Sequence, residues 1–478
     1  MKTSIRIAKK EIKIALREKL VLALSCIILV LLGISLYTGA IAYQQQQEAI
    51  TKAQKEKREE WLGQGDKHPH IAAHFGTFIF KPKTVLSLFD FGLDTYTGTS
   101  VYLEAHYQHQ FMFRPAQDHS SMIRFGELSA ALVLQILMPL LIIFLAYASF
   151  TREKERGTLR LLSSQGITLT SIAWGKIMAY FIILLVILVP FVLGILLLSY
   201  LLKTPDTITD LGIRIVLLGA AYMAYIFMFI VLSVLVSLKS SISRNALLTL
   251  LTCWILFTII IPKTVANLGE SLYPLPSMKI YKEAILKDKK DGLDGKTPRA
   301  VRMAQLEKEL LTKYKVDSVQ QLPFNFDGVK MQAGEEYGDK VYDVHWGRLL
   351  DLFNKQNKLG SYASLLNPYI ALRNISMGFS ATDLNTSVDF QKKVENYRRV
   401  FIKKMNDDMA QNSKYGEFYE YSVGLDMWKS VEDFEYNTPS IYATLKKYTL
   451  ELTSLFCWTV VLILLLNYIT RKTKPTNG

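Results

Sequence analysis

The stretch LSAALVLQILMPLLIIFLAYASF, residues 128–150, is followed without a break by TREKERGTLRLLSSQG, residues 151–166. The first part contains no charged residue and is long enough to cross a bilayer, for which a helix needs about 20 apolar residues. The second part begins with a run of charges from Arg152 to Arg156. Because charges are costly in lipid, we expect residues 151–166 to leave the membrane and face water. This alternation predicts helices in a membrane with polar segments between them.

Apolar runs of this kind occur six times along the chain. They cover residues 20–43, 128–150, 177–202, 211–238, 245–262 and 447–470. Half of all residues are hydrophobic, and they are concentrated in these runs instead of being spread evenly. We therefore predict a mainly α-helical membrane protein with a bundle of six transmembrane helices. Six crossings place both termini on the same side of the membrane.

The positions of the basic residues predict which side that is. Lys and Arg in short loops stay in the cytoplasm, whereas long domains are translocated regardless of their charge. Residues 1–19, the loop after residue 150, the loop at 239–244 and the tail at 471–478 carry basic residues and lie on one side. Both termini are therefore predicted to be cytoplasmic. Much of the net charge of +14 sits at these positions, where it favours anionic lipid over nucleic acid as a partner.

Residues 1–19 are predicted to form an amphipathic interfacial helix, because basic and apolar residues recur at helical spacing. The basic face consists of Arg6, Lys9, Lys10, Lys13 and Arg17, and the apolar face of Ile5, Ala8, Ile12, Ala15 and Leu16. Such a helix would lie in the membrane interface before the chain enters the first span. Two alternatives are a simple positive flank and a cleaved signal peptide, although the apolar run is longer than a signal peptide uses.

Two long polar segments separate the spans, at residues 44–127 and 263–446, and the number of crossings places both outside the cytoplasm. The first should continue the preceding helix over QQQQEAITKAQKEKREEWL and then form loops with short strands. The second is predicted to be mainly helical, with an apolar stripe from Phe390 to Met409. We expect residues 376–384 to be a loop leading into the helix that carries this stripe. The chain is thus expected to have two extracytoplasmic domains, the first mixed and the second mainly helical.

Motifs for chemistry within this chain are weak. Gly295-Lys296-Thr297 resembles the end of a P-loop, but position 290 is Lys instead of Gly, so a surface turn is predicted. The cores of the six spans contain no Asp, Glu, Lys, Arg or His with which to bind a driving ion. No catalytic residue is assigned, and the energy for any transport should come from another subunit.

Histidines are concentrated in the first polar segment, which contains six of the seven, namely His68, His70, His74, His106, His109 and His119. Their spacing fits none of the fixed zinc patterns, so structural hydrogen bonding is the favoured interpretation and no metal site is assigned. Metal binding remains the alternative. His70, Glu104 and His106 are the candidate ligands for it.

The segment REKERGTLRLLSSQGITLTSIAWGK, residues 152–176, resembles the cytoplasmic coupling segment of ABC-2-type permeases. Glu153, Glu155, Gly157, Thr158, Leu159, Gly175 and Lys176 carry this resemblance. HPHIAAHFGTFIF, FDFGLDTYTG, LEAHYQ, LNPYIALRNISMGFSATDL and FQKKVENYRR are similar to a bacterial subfamily of these permeases with two large outer domains. The resemblance implies a location in the bacterial cytoplasmic (inner) membrane.

The resemblance also implies partners. The coupling residues would be Arg152, Glu153, Lys154, Glu155, Arg156, Gly157, Thr158, Leu159 and Arg160, within a cytoplasmic segment at 151–176. They would contact a separate ABC ATPase subunit that binds ATP and Mg²⁺, while this chain binds no cofactor and is not an enzyme. A second permease subunit, identical or related, would complete the complex. The output would be export of a substrate or mechanical signalling to an extracytoplasmic protein; a membrane-anchored scaffold or receptor without transport is the alternative.

Overall fold

The computed structural model describes residues 2–106, 108, 111–112, 128–202, 208–418 and 420–473. Its helices are α1 (Lys2–Ala15), α2 (Lys19–Leu62), α3 (Pro69–Ala73), α4 (Asp94–Thr97), α5 (Ala130–Glu155), α6 (Thr158–Ser164), α7 (Leu169–Leu201), α8 (Ile208–Lys239), α9 (Ser243–Leu272), α10 (Met278–Asp291), α11 (Arg299–Tyr314), α12 (Phe326–Ala363), α13 (Pro368–Phe379), α14 (Leu384–Asn412), α15 (Leu425–Lys429), α16 (Ile441–Lys447) and α17 (Thr449–Lys472). The prediction of a mainly α-helical protein is confirmed. His109 and His119 lie outside the described residues.

Six of these helices, α2, α5, α7, α8, α9 and α17, are long and apolar enough to cross a membrane. They correspond to the six predicted spans. Helix α2 runs to Leu62, well past the predicted end of the first span at residue 43, and so confirms the predicted continuation of that helix. Helix α7 begins at Leu169, so residues 169–176 form its first turns instead of belonging to a separate coupling segment.

Helix α8 lies at the centre of the bundle, because several of its side chains are completely buried. Tyr225, Ile226, Ile230, Val231 and Val234 are inaccessible to solvent and belong to the main hydrophobic core. Helices α5, α7, α13 and α17 pack around α8. Burying apolar side chains on all sides of a helix is typical of the inner helix of a bundle.

Two of the long helices contain a π-helical turn just before a proline. In α5 the turn covers Val133–Leu137 and precedes Pro139; in α9 it covers Leu256–Ile260 and precedes Pro262. Proline has no N–H and crowds the preceding turn, so carbonyl groups near it lose their helical partners. Side chains from other parts of the chain replace those partners.

The indole N–H of Trp254 donates to the carbonyl of Ile136 over 3.0 Å, and the hydroxyl of Tyr225 donates to the carbonyl of Gln135 over 2.9 Å. In α9, the amide of Asn367 donates to the carbonyl of Phe257 over 2.8 Å. Carbonyl groups in an apolar environment must find donors, so these three hydrogen bonds stabilise the two irregular helices. They also connect α5 with α8 and α9.

The two long polar segments, residues 44–127 and 263–446, share one hydrophobic core. A three-stranded antiparallel sheet in the first segment has the order β1 (Thr77–Phe80), β2 (Ser100–Leu103) and β3 (Phe111–Met112), which confirms the predicted short strands. Val101 and Leu103 of this sheet are buried in the same cluster as Phe390 and Trp428 of the second segment. The two segments that the sequence presents as separate domains therefore contribute to a common core.

The prediction of a loop over residues 376–384 is wrong for its first part, because α13 continues to Phe379. Asn367 caps this helix by accepting hydrogen bonds from the backbone N–H groups of Tyr369 and Ile370. Gly378 is a helical residue packed against the ring of Tyr448; an added Cβ would lie 2.1 Å from that ring. The glycine is required for close packing of the helix and not for a loop.

Candidate functional site

The predicted coupling segment consists of the last turn of α5, a sharp turn at Gly157, and α6. Gly157 has a φ of 71°, a left-handed conformation that glycine adopts without strain, and it precedes the first residue of α6. Leu159 is 4% exposed and packs into the main core, whereas Leu161 is 61% exposed. Helix α6 is therefore fixed to the bundle on one side and presents an apolar side chain on the other.

Three charged side chains of this segment bind other parts of the chain, although Glu155 stays exposed. Arg152 pairs with Glu18, and the ammonium group of Lys154 donates to the carbonyl groups of Leu238 and Ser240 over 2.6 and 3.0 Å. The carboxylate of Glu155 accepts from the backbone N–H of Ser243 over 2.7 Å, at the first residue of α9. The expectation that all of residues 151–166 face water is corrected, because these side chains bind neighbouring helices.

A buried group of charges forms the centre of the site. The ammonium group of Lys176 lies 2.9 Å from a carboxylate oxygen of Glu11 and 3.1 Å from one of Glu153. The side chain of Lys176 is 2% exposed, and those of Glu11 and Glu153 are 9% and 13% exposed. The hydroxyl of Tyr180 donates to Glu11 over 3.4 Å. Ionic contacts thus join α1, the end of α5 and the start of α7; we call Glu11, Glu153 and Lys176 the charge triad.

Helix α1 is held against α7 by close packing as well as by the charge triad. Ala8 and Ala15 are buried, and Gly175 allows the two helices to approach so closely that an added Cβ would lie 2.8 Å from Ile7 and from the carbonyl of Ser4. The predicted basic residues, Arg6, Lys9, Lys10, Lys13 and Arg17, are all exposed. The amphipathic pattern is therefore confirmed, with the difference that part of the apolar face contacts protein.

The structure thus brings the predicted coupling residues together with two that sequence reasoning missed. Glu11 and Glu18 were overlooked because they lie within a basic segment, yet Glu11 is the only acidic residue among the first 17. Lys176 was noticed only through the resemblance. Its burial was not expected, because its partner Glu11 lies 165 residues away in the sequence.

A second polar connection lies where the two long polar segments between the spans meet the helical bundle. We call residues 44–127 the first intervening segment and residues 263–446 the second. The hydroxyl of Ser376 donates to the buried carboxylate of Asp90 and lies 2.9 Å from the hydroxyl of Tyr222, which accepts from the amide of Gln135 over 2.7 Å. Burial raises the pKa of Asp90, an effect that its hydrogen bonds from Ser376 and the N–H of Gly92 oppose. This chain of contacts runs from the first intervening segment through α13 to α8 and α5.

The histidine-rich part of the first segment brings three side chains together. His70, His74 and His106 each place a ring nitrogen within 4.8 Å of the other two. Of the predicted candidates, His70 and His106 belong to this group and Glu104 does not, while His74 joins it. His106 hydrogen-bonds through Nδ1 to the carboxylate of Glu335 in α12. We call His70, His74 and His106 the histidine cluster.

The histidine cluster favours neutral imidazole rings. Burial, followed by the proximity of His106 and His74, lowers the pKa of His70 to about 4. Burial and His106 also lower the pKa of His74, although the charges of Glu104 and Glu335 oppose that shift. Neutral imidazole is the form that binds metal ions or accepts hydrogen bonds.

The P-loop-like sequence forms a surface turn between α10 and α11, as predicted. The carboxylate of Asp294 accepts hydrogen bonds from the backbone N–H groups of Lys296 and Thr297 and from the hydroxyl of Thr297. These bonds lower the pKa of Asp294 to about 2. The N–H groups that a phosphate would need are thus occupied by this carboxylate.

One family model matches the chain, over residues 282–437, and is described as "Domain of unknown function (DUF3526)". The match covers helices α11 to α15 together with most of α10 and includes Glu335 beside the histidine cluster. No curated protein matches the chain. The matched region lies between the fifth and sixth predicted spans and does not include the coupling segment.

Proposed function

We propose that this chain is the membrane-spanning permease subunit of an ABC transporter and that it transmits the ATP-driven movements of a separate ATPase subunit. The single observation that carries the proposal is the charge triad, which joins the end of α5, just before the turn into α6, to α1 and α7. A force applied to α6 would reach Glu153 at the end of α5 and, through Lys176, both α7 and α1. Rigid connections of this kind are needed to convert a local displacement into a rearrangement of helices.

The surface that would receive the ATPase is the exposed side of α6 and the turn before it. Arg156, Gly157, Thr158, Arg160 and Leu161 are all exposed. A mixture of basic and apolar side chains suits a soluble protein partner, because the apolar part is buried and the charges orient the contact. The residues from Arg152 to Glu155, which bind other parts of the chain, would then transmit force instead of making the contact.

The positions of charged residues in the spans bear on the energy source. Two charged residues of the described spans, Lys176 and Glu451, lie near helix ends and are engaged by other side chains. An ion-driven transporter needs ionisable groups near the middle of the membrane. Hydrolysis of ATP by a partner remains as the energy source, so ATP and Mg²⁺ would be bound there. A second permease subunit, identical or related, would complete the complex.

Two outputs of the proposed permease are compatible with its architecture. Export of an apolar or peptide-like molecule and mechanical signalling to an extracytoplasmic protein both suit a subunit with large segments on the far side of the membrane. The polar chain from Asp90 to Gln135 supports signalling, because it connects those segments to α5 and α8, the helices next to the coupling segment.

The proposal is tested by purifying the full chain from its native membrane with a non-histidine tag and identifying the proteins that co-purify. We expect a protein with a P-loop ATPase sequence, and we expect the complex to hydrolyse ATP. The substitution Leu161→Asp should abolish the association. Leu286→Asp is the matched control, because Leu286 is also 61% exposed but lies in α10, far from α6 in the sequence.

Recovery of a complex without any P-loop ATPase would contradict the proposal and favour the scaffold or receptor. Equal association of the Leu161→Asp and wild-type chains would remove α6 as the contact surface. Both variants must retain the wild-type unfolding temperature, so that a loss of binding reports on the surface.

A further inference from the structure

The histidine cluster shares no residue and no helix with the charge triad and has no role in the proposed coupling. His70 belongs to α3, His74 follows α3, and His106 follows β2. The ring centroids are 5.1 Å apart for His70 and His74, 4.7 Å for His74 and His106, and 5.4 Å for His70 and His106. Three imidazole rings at mutual contact distance need an explanation, because they gain little from one another as neutral groups.

We propose that His70, His74 and His106 bind one divalent transition-metal ion, with Zn²⁺ as the representative of the class. Imidazole nitrogen is a preferred ligand of zinc, copper and nickel, whereas Mg²⁺ and Ca²⁺ prefer oxygen. With zinc–nitrogen distances of about 2.0–2.1 Å, tetrahedral ligands lie about 3.4 Å apart. Nitrogens within 4.8 Å of one another reach that spacing by small side-chain rotations, and His74 is exposed and has room to turn.

Two features of the cluster bear on this assignment. The Nδ1 atom of His70 is buried and makes no hydrogen bond of standard geometry, and the side chain of Asn406, which interacts with the ring, is the competing partner for it. Glu335 occupies Nδ1 of His106, which leaves Nε2 of that ring for the ion. A carboxylate bound to the far nitrogen of a ligating histidine is a common second contact in metal sites, where it fixes the ring and increases its basicity.

A purely structural role for His70 would rest on the side chain of Asn406, which interacts with the ring without forming a hydrogen bond of standard geometry to Nδ1. Glu335 is itself held near Arg398, at 3.8 Å, so its position does not depend on the ion.

Binding of an ion would tie the first intervening segment to the second. The three ligands belong to the first segment, and Glu335 belongs to α12 in the second. The ion would therefore stabilise the common core of the two segments. This consequence is separate from coupling to an ATPase, because none of the residues involved belongs to the charge triad.

The experiment uses the full chain in detergent without a polyhistidine tag. Zn²⁺ is titrated in competition with a chromogenic chelator, and the unfolding temperature is measured with and without Zn²⁺. We expect one high-affinity Zn²⁺ per chain and a rise in unfolding temperature of several degrees; Mg²⁺ should give neither. The substitutions His70→Gln and His74→Gln should each weaken binding at least tenfold and remove most of the rise. His345→Gln is the control, because His345 is paired with Asp288 away from the cluster.

His74→Gln keeps the test decisive even if His70→Gln fails to fold, since His74 is exposed. Stoichiometric Zn²⁺ binding that survives His74→Gln and His70→Gln would overturn the proposal, because the ion would then lie elsewhere. Failure of the wild-type chain to bind Zn²⁺ would overturn it as well. Neither result bears on the association with an ATPase, so the two proposals fail separately.

Discussion

Lys176 shows how a single side chain can organise the start of a membrane helix. A fully buried ammonium group is tolerated because two carboxylates lie within 3.1 Å of it and because its charge also faces the ring of Phe150, 5.6 Å from the ring centre. Burying an ion pair costs desolvation energy that these contacts must repay. The free energy of unfolding should therefore fall more when one member of the triad is replaced than when all three are replaced.

The substitution Lys176→Met should leave Glu11 and Glu153 facing each other without a counter-charge. We expect the free energy of unfolding to fall by about 3–5 kcal/mol, as for other buried ion pairs that lose one partner. Adding Glu11→Gln and Glu153→Gln should restore a large part of the loss. Thermal unfolding in detergent measures each variant.

The control for this series is Lys279→Met, because the side chain of Lys279 is 82% exposed and its contact with Glu283 is long. Exposed pairs of this kind contribute about 0–1 kcal/mol. A loss for Lys176→Met no greater than that of the control, or a triple variant less stable than Lys176→Met, would show that the triad does not act as a unit.

Residue-level patterns explain what could be predicted from the sequence. The exposed basic face of α1 follows from the spacing of Arg6, Lys9, Lys10, Lys13 and Arg17, since that spacing reports on a single helix. The charge triad could not be predicted, because Glu11 and Lys176 meet only after three helices have packed. Sequence spacing carries local information, whereas a buried partner is chosen by the tertiary fold.

At the scale of elements, the contact between α1 and α7 depends on a small residue. Gly175 has Ile7 and the carbonyl of Ser4 within 2.8 Å of the position that a Cβ would occupy. Backbone atoms cannot move aside as a flexible side chain can. Helix α1 must therefore shift if a larger residue replaces this glycine.

The substitution Gly175→Val should release α1 from α7 and expose the Lys9–Lys13 region to trypsin. We expect faster loss of an N-terminal epitope tag on immunoblots, by about tenfold, as local opening becomes favourable. Gly219→Val is the matched control, since Gly219 lies within α8 and has no atom within 4 Å of its added Cβ. Equal cleavage rates for the two variants would mean that α1 is not held by this contact.

The π-helical turns in α5 and α9 depend on hydrogen-bond donors from other parts of the chain. Pro139 is visible within the apolar run at residues 128–150, but which carbonyl it frees and which side chain satisfies that carbonyl depend on neighbouring helices. Trp254, a residue without any distinguishing motif, donates to the carbonyl of Ile136. The prolines were therefore predictable and their compensating donors were not.

The substitution Trp254→Phe should leave that carbonyl without its donor while keeping an aromatic ring in place. We expect a loss of about 1–3 kcal/mol in the free energy of unfolding, because the carbonyl lies in an apolar environment. Trp458→Phe is the control: Trp458 donates to the carbonyl of Leu365 over the same 3.0 Å, but at an exposed site. Equal losses would indicate that ring size, and not the hydrogen bond, accounts for the effect of Trp254.

At the scale of the whole molecule, two polar connections lie at opposite ends of α5. Gln135 takes part in the chain that leads to Asp90, and Glu153 belongs to the charge triad. These residues are 18 positions apart, which corresponds to about 27 Å along a helix, or nearly the thickness of the apolar part of a bilayer. Helix α5 therefore provides a direct mechanical path between α6 and the intervening segments.

The direction of that path depends on the orientation of the chain, which can be measured with cysteine substitutions. Leu161 in α6 and Leu286 in α10 are both 61% exposed, and they lie on opposite sides of the membrane if all six apolar helices cross it. The three native cysteines, Cys26, Cys253 and Cys457, would first be replaced by alanine. If both termini are cytoplasmic, a membrane-impermeant maleimide should label Leu286→Cys in intact spheroplasts and Leu161→Cys only after permeabilisation. The cysteine-free chain should remain unlabelled. Labelling of Leu161→Cys from outside would invert the topology, and the proposed contact of α6 with a cytoplasmic ATPase would then be impossible.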